Sequence, residues 1–226
     1  MPIPIQNPRE CHAGLIVMLR ITLAGILLFS LPVFVRADYD SAVAALEAND
    51  YETAFNEFLL LAKEGNAEAQ NRIGMMYQGG MGVPQDPEEA LKWYQKSAED
   101  GFTPAQLNLG SMYRKGVCIP PDYIKASEWY RRAAEQGVSE AQYNLGILYF
   151  SGNGLPRDVV QAYAWVDVAA ADGNERARDS RGVIESELDP AQLEDARRLA
   201  GELWEKYGNK ERAGDRNINS ARIKSE

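Results

Sequence analysis

Small and apolar residues recur along this chain at a fixed spacing of 36 positions, interleaved with polar stretches. Segments 69–104, 105–140 and 141–176 superpose without a gap. Ala-Gln recurs at 69–70, 105–106 and 141–142; Gly74 aligns with Gly110 and Gly146, and Tyr77 with Tyr113 and Tyr149. Next come Pro84, Pro120 and Pro156, then Asp86, Asp122 and Asp158, then Ala90, Ala126 and Ala162. Trp93, Trp129 and Trp165 follow, and each unit closes with Ala98, Ala134 or Ala170 and with Gly101, Gly137 or Gly173. A period of this length marks an array of supersecondary units. The register continues more weakly upstream through Asp50, Ala54, Ala62 and Gly65, and downstream through Ala177 and Gly182. The array is therefore expected from about Asp38 to about Leu188, with the atypical end units that capping against water requires.

Each unit reads as two helices. Asp50, Asp86, Asp122 and Asp158 are natural N-caps for the second helix. Gly65, Gly101, Gly137 and Gly173 stand where that helix must stop, in the left-handed conformation that glycine tolerates. Gly74, Gly110 and Gly146 fall inside the first helix, where glycine costs about 1 kcal/mol relative to alanine. A cost repeated in every unit predicts close helix–helix approach, and Ala90 with Ala98 reads the same way. The Trp and Tyr residues are expected to fill the space between hairpins. A final helix over 189–207 has an Asp189 cap, Pro190 in its first turn and a Leu193/Leu199/Leu203/Trp204 stripe, and is expected to cover the open end. Residues 208–226 lack an apolar face and read as a disordered tail. The expected fold is all-α: an α-solenoid of helix hairpins with a C-terminal capping helix.

These residues resemble the Sel-one-like repeat, a longer relative of the tetratricopeptide repeat. Its pattern is roughly AxxxLGxxYxxGxGVxxDxxKAxxWYxxAAxxG; residues 69–101 read AQNRIGMMYQGGMGVPQDPEEALKWYQKSAEDG, and the motif returns twice. The match spans about residues 50–182. Three departures stand out: Cys118 replaces the loop glycine of the middle unit, Pro120-Pro121 stiffens that loop, and Val166 replaces the aromatic found at Tyr94 and Tyr130. The resemblance implies a tetratricopeptide-like α-solenoid and a scaffold or adaptor role, often in bacterial secretion, envelope or host-interaction settings. It implies no catalytic residues and no cofactor.

Composition changes the picture at the N-terminus. Ile21–Val35 is an apolar run of 15 residues containing Pro32, preceded by Arg9 and Arg20 and ending in Val35-Arg36-Ala37 before Asp38. Basic region, apolar run and small residues before a cleavage point make residues 1–37 an expected secretory signal, with Met1 or Met18 as its start. A spanning helix needs about 20 residues, so an uncleaved anchor is the weaker reading, and no stable membrane span is expected after cleavage. The expected location is periplasmic or secreted. Losing Arg9, Arg20, Arg36 and Glu10 with this segment takes the formal charge from −9 to −11, a balance that opposes nucleic-acid binding. The only histidine, His12, and Cys11 go with it, leaving Cys118 alone. A His base, a His metal ligand, an intrachain disulfide or a CxxC pair is then excluded; Cys118 keeps only the option of pairing between chains.

Other chemistry reads as structure. No serine is followed by lysine at the S-x-x-K spacing that penicillin-recognising enzymes need, and Ser151-Gly152-Asn153 lies in a glycine loop. Glu88-Glu89 and Glu99-Asp100 fall near helix ends as solvated carboxylates. The reading is a non-enzymatic protein- or peptide-binding scaffold; the alternatives are a peptidoglycan- or glycan-associated structural factor and a β-lactam-related hydrolase. By analogy with tetratricopeptide arrays the first helices should line the concave side. A stripe there at i, i+4 and i+7 changes from unit to unit: Asn71, Met75, Gln78; then Leu107, Ser111, Arg114; then Tyr143, Ile147, Phe150. These nine are the expected partner contacts, with Tyr143 and Phe150 as anchors and Arg114 orienting an acidic group. Packing of the third triplet beneath the helix at 189–207 is the competing expectation.

Overall fold

A computed structural model describes residues 38–117 and 119–208. The expected signal over 1–37, Cys118, and the expected tail beyond Gly208 lie outside the described residues. Ten α-helices run through the described residues: α1 (Tyr39–Glu47), α2 (Tyr51–Lys63), α3 (Ala67–Gly79), α4 (Pro87–Glu99), α5 (Thr103–Lys115), α6 (Tyr123–Glu135), α7 (Ser139–Ser151), α8 (Val159–Ala171), α9 (Glu175–Glu185) and α10 (Pro190–Tyr207). Consecutive helices from α1 to α9 pack on one another, so α3/α4, α5/α6 and α7/α8 form three like hairpins stacked in line. No helix among the described residues is long and apolar enough to cross a membrane.

Local chemistry sets each boundary. The carboxylates of Asp50, Asp86, Asp122 and Asp158 accept backbone N–H bonds at the starts of α2, α4, α6 and α8. Gly65, Gly101, Gly137 and Gly173 take φ of +94°, +87°, +84° and +96° just past the ends of the same helices. At each, paired bonds close the helix end; Gly101 donates to the Ala98 carbonyl at 3.1 Å and Phe102 to that of Ser97 at 3.0 Å. The seven-residue loops inside the hairpins share a clasp as well. Asp86, Asp122 and Asp158 donate their N–H to the carbonyls of Tyr77, Tyr113 and Tyr149 at 2.9, 2.9 and 3.0 Å.

One side-chain bond ties each hairpin to the one before it. The Nε2 of Gln70, Gln106 and Gln142 donates to the carbonyls of Ala62, Ala98 and Ala134 at 3.3, 3.3 and 3.2 Å. All three glutamines are buried. At the fourth repeat of the register Arg178 Nε makes the same bond to Ala170 at 3.4 Å.

Within a hairpin the first helix lies hard against the second. A Cβ at Gly74 would come 2.8 Å from the Tyr94 ring, and one at Gly110 would come 2.7 Å from the Tyr130 ring. At Gly146 it would meet Val166 Cγ2 at 2.7 Å and the Ala162 carbonyl oxygen at 3.0 Å. The smaller Val166 therefore lets the two backbones close in. The equivalent Gly182 of α9 has no neighbour within 4 Å of such a Cβ.

The array stops because α9 is polar where its counterparts are apolar. Arg181 and Glu185 stand where α7 has Leu145 and Tyr149. They bond to Asp167 and Arg197 at 2.8 and 2.9 Å. This corrects the expected place of the last helix: α10 packs chiefly along α8, and the Gly182 notch of α9 stays open. The outer face of α8 explains why. Positions held by exposed Lys92 on α4 and Glu128 on α6 are taken by buried Ala164, and those of Lys96 and Arg132 by buried Val168. Apart from Gln161 and Asp167, α8 is thus apolar around its circumference and needs a further neighbour. Under α10, Trp165 stacks on Tyr207 with centroids 5.9 Å apart and is 2% exposed. Trp93 and Trp129 are only half-buried, each roofed by one cation, Lys96 at 4.5 Å or Arg132 at 4.4 Å. The fully buried aromatics of the first two hairpins are Tyr94 and Tyr130.

Three alanine substitutions separate packing from helix propensity. Gly110→Ala should lose roughly 1–3 kcal/mol through overpacking, and Gly146→Ala more, since a backbone oxygen cannot swing aside as a ring can. Gly182→Ala should gain up to about 1 kcal/mol from propensity alone. Urea melts of the three variants measure the order; a Gly110→Ala protein as stable as the parent would refute close approach there.

Candidate functional site

Repeat arrays offer a ligand the faces that packing leaves over, and helical rotation identifies them here. Gly74 faces the second helix of its hairpin, and the fully buried Ile73 beside it packs in the core shared with α2. At about 100° per residue, positions 68, 72, 75 and 79 lie opposite, while 71 and 78 lie on the flanks. The free face of the first helices is therefore rotated from the expected stripe.

The flanking members are taken up inside the chain. Asn71 is 5% exposed, accepts a bond from Asn108 of α5 at 3.1 Å, and points its own amide at Met75 Sδ, 3.7 Å away. Leu107 packs on the central core. Tyr143 is 8% exposed: Arg176 of α9 lies 4.6 Å over its ring and Ser180 lies 3.4 Å from its hydroxyl. The expectation of Tyr143 as a partner anchor is thus corrected, because the next first helix already covers that position. Gln78 Oε1 accepts from the Tyr94 hydroxyl at 2.8 Å, and Arg114 Nε donates to the Tyr130 hydroxyl at 3.2 Å. Arg114 is engaged with its own hairpin rather than held out for an acidic group. In the third hairpin Val166 has no hydroxyl to satisfy, and the partner position is the apolar Phe150. Arg157 lies 5.5 Å over that ring, donates to the Phe150 carbonyl at 3.0 Å and pairs with Glu187.

Met75, Ser111 and Ile147 remain on the free face, and Val183 of α9 continues their register 36 positions further on. Met75 is 38% and Val183 61% exposed; Ser111 and Ile147 are half-buried. In the sequence, Val183 is marked for this face only by the 36-residue spacing from Ile147. The face also carries Glu68 with Arg72, 3.8 Å apart, and Glu140 with Arg176, 2.7 Å apart.

Concavities among the described residues also lie away from this face. One of about 690 Å³ lies at the loop edge of the middle hairpin, between Leu91, Tyr113, Pro121, Tyr123 and Ile124. One of about 320 Å³ lies between α6, α8 and α10 beside Trp165 and Leu203. Burial drives the Tyr94 hydroxyl well above the usual tyrosine range; it raises Tyr130 as well, with Arg114 opposing it. Both phenols stay protonated near neutrality. No group of three or more His, Cys, Asp or Glu among the described residues is arranged to hold a metal.

Comparison with known proteins places this geometry. The Sel1 repeat model matches residues 67–102, 103–138 and 139–174, the same period set two residues ahead of the frame read above. A Sel1 repeat protein of Oxalobacter formigenes is 36% identical over 65% of this chain, with a TM-score of 0.61, and this chain covers 60% of its length. A protective antigen of uropathogenic Escherichia coli with an SLR fold is 24% identical over 80% of this chain and 56% of its own, with a TM-score of 0.41. A Sel1 repeat protein of Klebsiella pneumoniae is 20% identical over 65% of this chain and 76% of its own, at 0.43. No curated protein sequence matches the chain.

The hydroxyl pairing is open to a double-mutant cycle. Arg114→Met should cost about 1 kcal/mol by removing one partner of the buried Tyr130 hydroxyl, which Ser111 also meets. In a Tyr130→Phe background the same change should cost much less. Equal costs in both backgrounds would show that Arg114 does not serve the Tyr130 hydroxyl.

Proposed function

Because this chain belongs to the Sel1-like repeat family, we propose that it is a non-catalytic scaffold or adaptor of the bacterial cell envelope that binds a protein or peptide partner. Repeats of this family are in general protein-interaction scaffolds. The observation that carries the reading is the apolar register Met75, Ile147 and Val183 on the face turned away from the second helices, exposed at Met75 and Val183 and half-buried at Ile147. Stacked hairpins hold those side chains on rigid helices, so a ligand meets a surface already in place and little ordering cost is added on binding. Export to the periplasm or beyond rests on the apolar run Ile21–Val35 and the small residues before Asp38.

Two measurements test this reading. The native protein should begin at Asp38 and stay in the soluble fraction; an intact mass that retains residues 21–37, in the membrane pellet, would defeat the export proposal. Partner capture from envelope extracts should fall by about tenfold or more, some 1.4 kcal/mol, in a Met75→Ser, Val183→Ser protein whose melt is unchanged. Undiminished capture by that folded variant would move the binding surface elsewhere. Retention on purified cell-wall polymer instead would favour a glycan-associated role.

A further inference from the structure

The free face of the first helices has a definite electrostatic character. Residues 38–208 hold 16 Lys and Arg against 29 Asp and Glu, a net −13. The cations on and beside the face are already committed: Arg72 to Glu68 and Tyr39, Arg114 to Tyr130, Arg157 to Glu187, Arg176 to Glu140. On α9 the exposed Glu175, Asp179 and Val183 follow one another at i, i+4 and i+8, a row that climbs from the outer flank of the helix, where Asp179 holds the position of Asn71, to the free face at Val183. No ion pair holds Glu175 or Asp179 among the described residues; Val183 is the most exposed member of the apolar register. An aliphatic anchor thus stands beside uncommitted carboxylates, at the end of the array where Ile147 supplies a second apolar contact one helix away.

We propose that this face takes a cationic polypeptide segment, one whose Lys or Arg residues flank an aliphatic side chain. The proposal rests on the scaffold reading and adds the partner's chemistry to it. The aliphatic group lies between Val183 and Ile147 while its basic neighbours meet Glu175 and Asp179. The acidity of the whole array raises the encounter rate for such a segment and repels acidic ones.

Two synthetic peptides of equal length and identical leucine placement, one filled out with lysine and one with glutamate, test it against the purified full chain by titration calorimetry. The lysine peptide should bind, with affinity that falls as salt is added, and the glutamate peptide should not. Val183→Ser should weaken the lysine peptide by about five- to tenfold through lost apolar burial. Asp179→Asn should weaken it and flatten its salt dependence, whereas Glu128→Gln, on the exposed side of α6, should leave it unchanged. Equal losses from Glu128→Gln and Asp179→Asn would overturn the proposal by showing attraction to bulk charge. Binding of the glutamate peptide that Val183→Ser removes would overturn the cationic assignment and leave the scaffold face standing. Lysine-peptide binding indifferent to both Val183→Ser and Asp179→Asn would remove the face itself, and binding of neither peptide would overturn the proposal.

Discussion

A buried amide that crosses between hairpins is the interaction on which the array depends. Each second helix ends with carbonyls that have no partner within the helix, and the following hairpin buries them. The carbonyls of Ala62, Ala98 and Ala134 each take one bond from the glycine N–H just past the helix, and Gln70, Gln106 and Gln142 supply a second donor at the same place in every unit. A buried glutamine amide left without an acceptor would cost about 1–3 kcal/mol, so the stack favours the register that brings it to this carbonyl. Stability in such an array is a sum of units and nearest-neighbour joints, and this bond belongs to the joint. Gln142 carries a second duty: its amide also donates to the Tyr207 carbonyl at 3.2 Å, so the ends of α6 and α10 meet on one side chain.

The same logic explains how the stack ends. Arg178 keeps the joint bond at the last first helix, and the remainder of α9 gives up the features that would seat another second helix. Apolar positions become Arg181 and Glu185, and Gly182 opens onto empty space. The apolar surplus lies one helix earlier, on α8, where Ala164 and Val168 replace charged residues and draw α10 over Trp165. A polar end and a covered outer face leave the array with no apolar edge on which a further hairpin could stack.

Much of this was legible in the sequence, and what was missed has one cause. Caps, stops and close approaches are local or strictly periodic, so Asp86, Gly101 and Gly110 announce their roles through residue type and spacing. The burial of Trp93 and Trp129 was misjudged because a tryptophan stem can be roofed by one lysine or arginine and still face water on its other side. The place of α10 was missed because its own stripe says only that it packs somewhere. The instruction lay in α8, whose lack of a polar face could have been read from residues 159–171.

The binding stripe shows why variation between repeats is an ambiguous signal. Position 78 changes from Gln78 to Arg114 to Phe150, and the facing position changes with it, from Tyr94 to Tyr130 to Val166. Two hydroxyls receive polar partners and a valine receives a phenyl ring, so this variation is compensation within a hairpin. Position 71 varies because its cover comes from the next hairpin, as Asn108 over Asn71 and Arg176 over Tyr143 demonstrate. A changing residue points toward a ligand only after its own chain has been asked for a partner and has supplied none. Asn71, Gln78, Arg114 and Tyr143 fail that condition, and Phe150 meets it only on the side away from Arg157. Met75, Ile147 and Val183 share a register turned away from every second helix, and the exposed side chains at its two ends leave apolar surface that folding has not used.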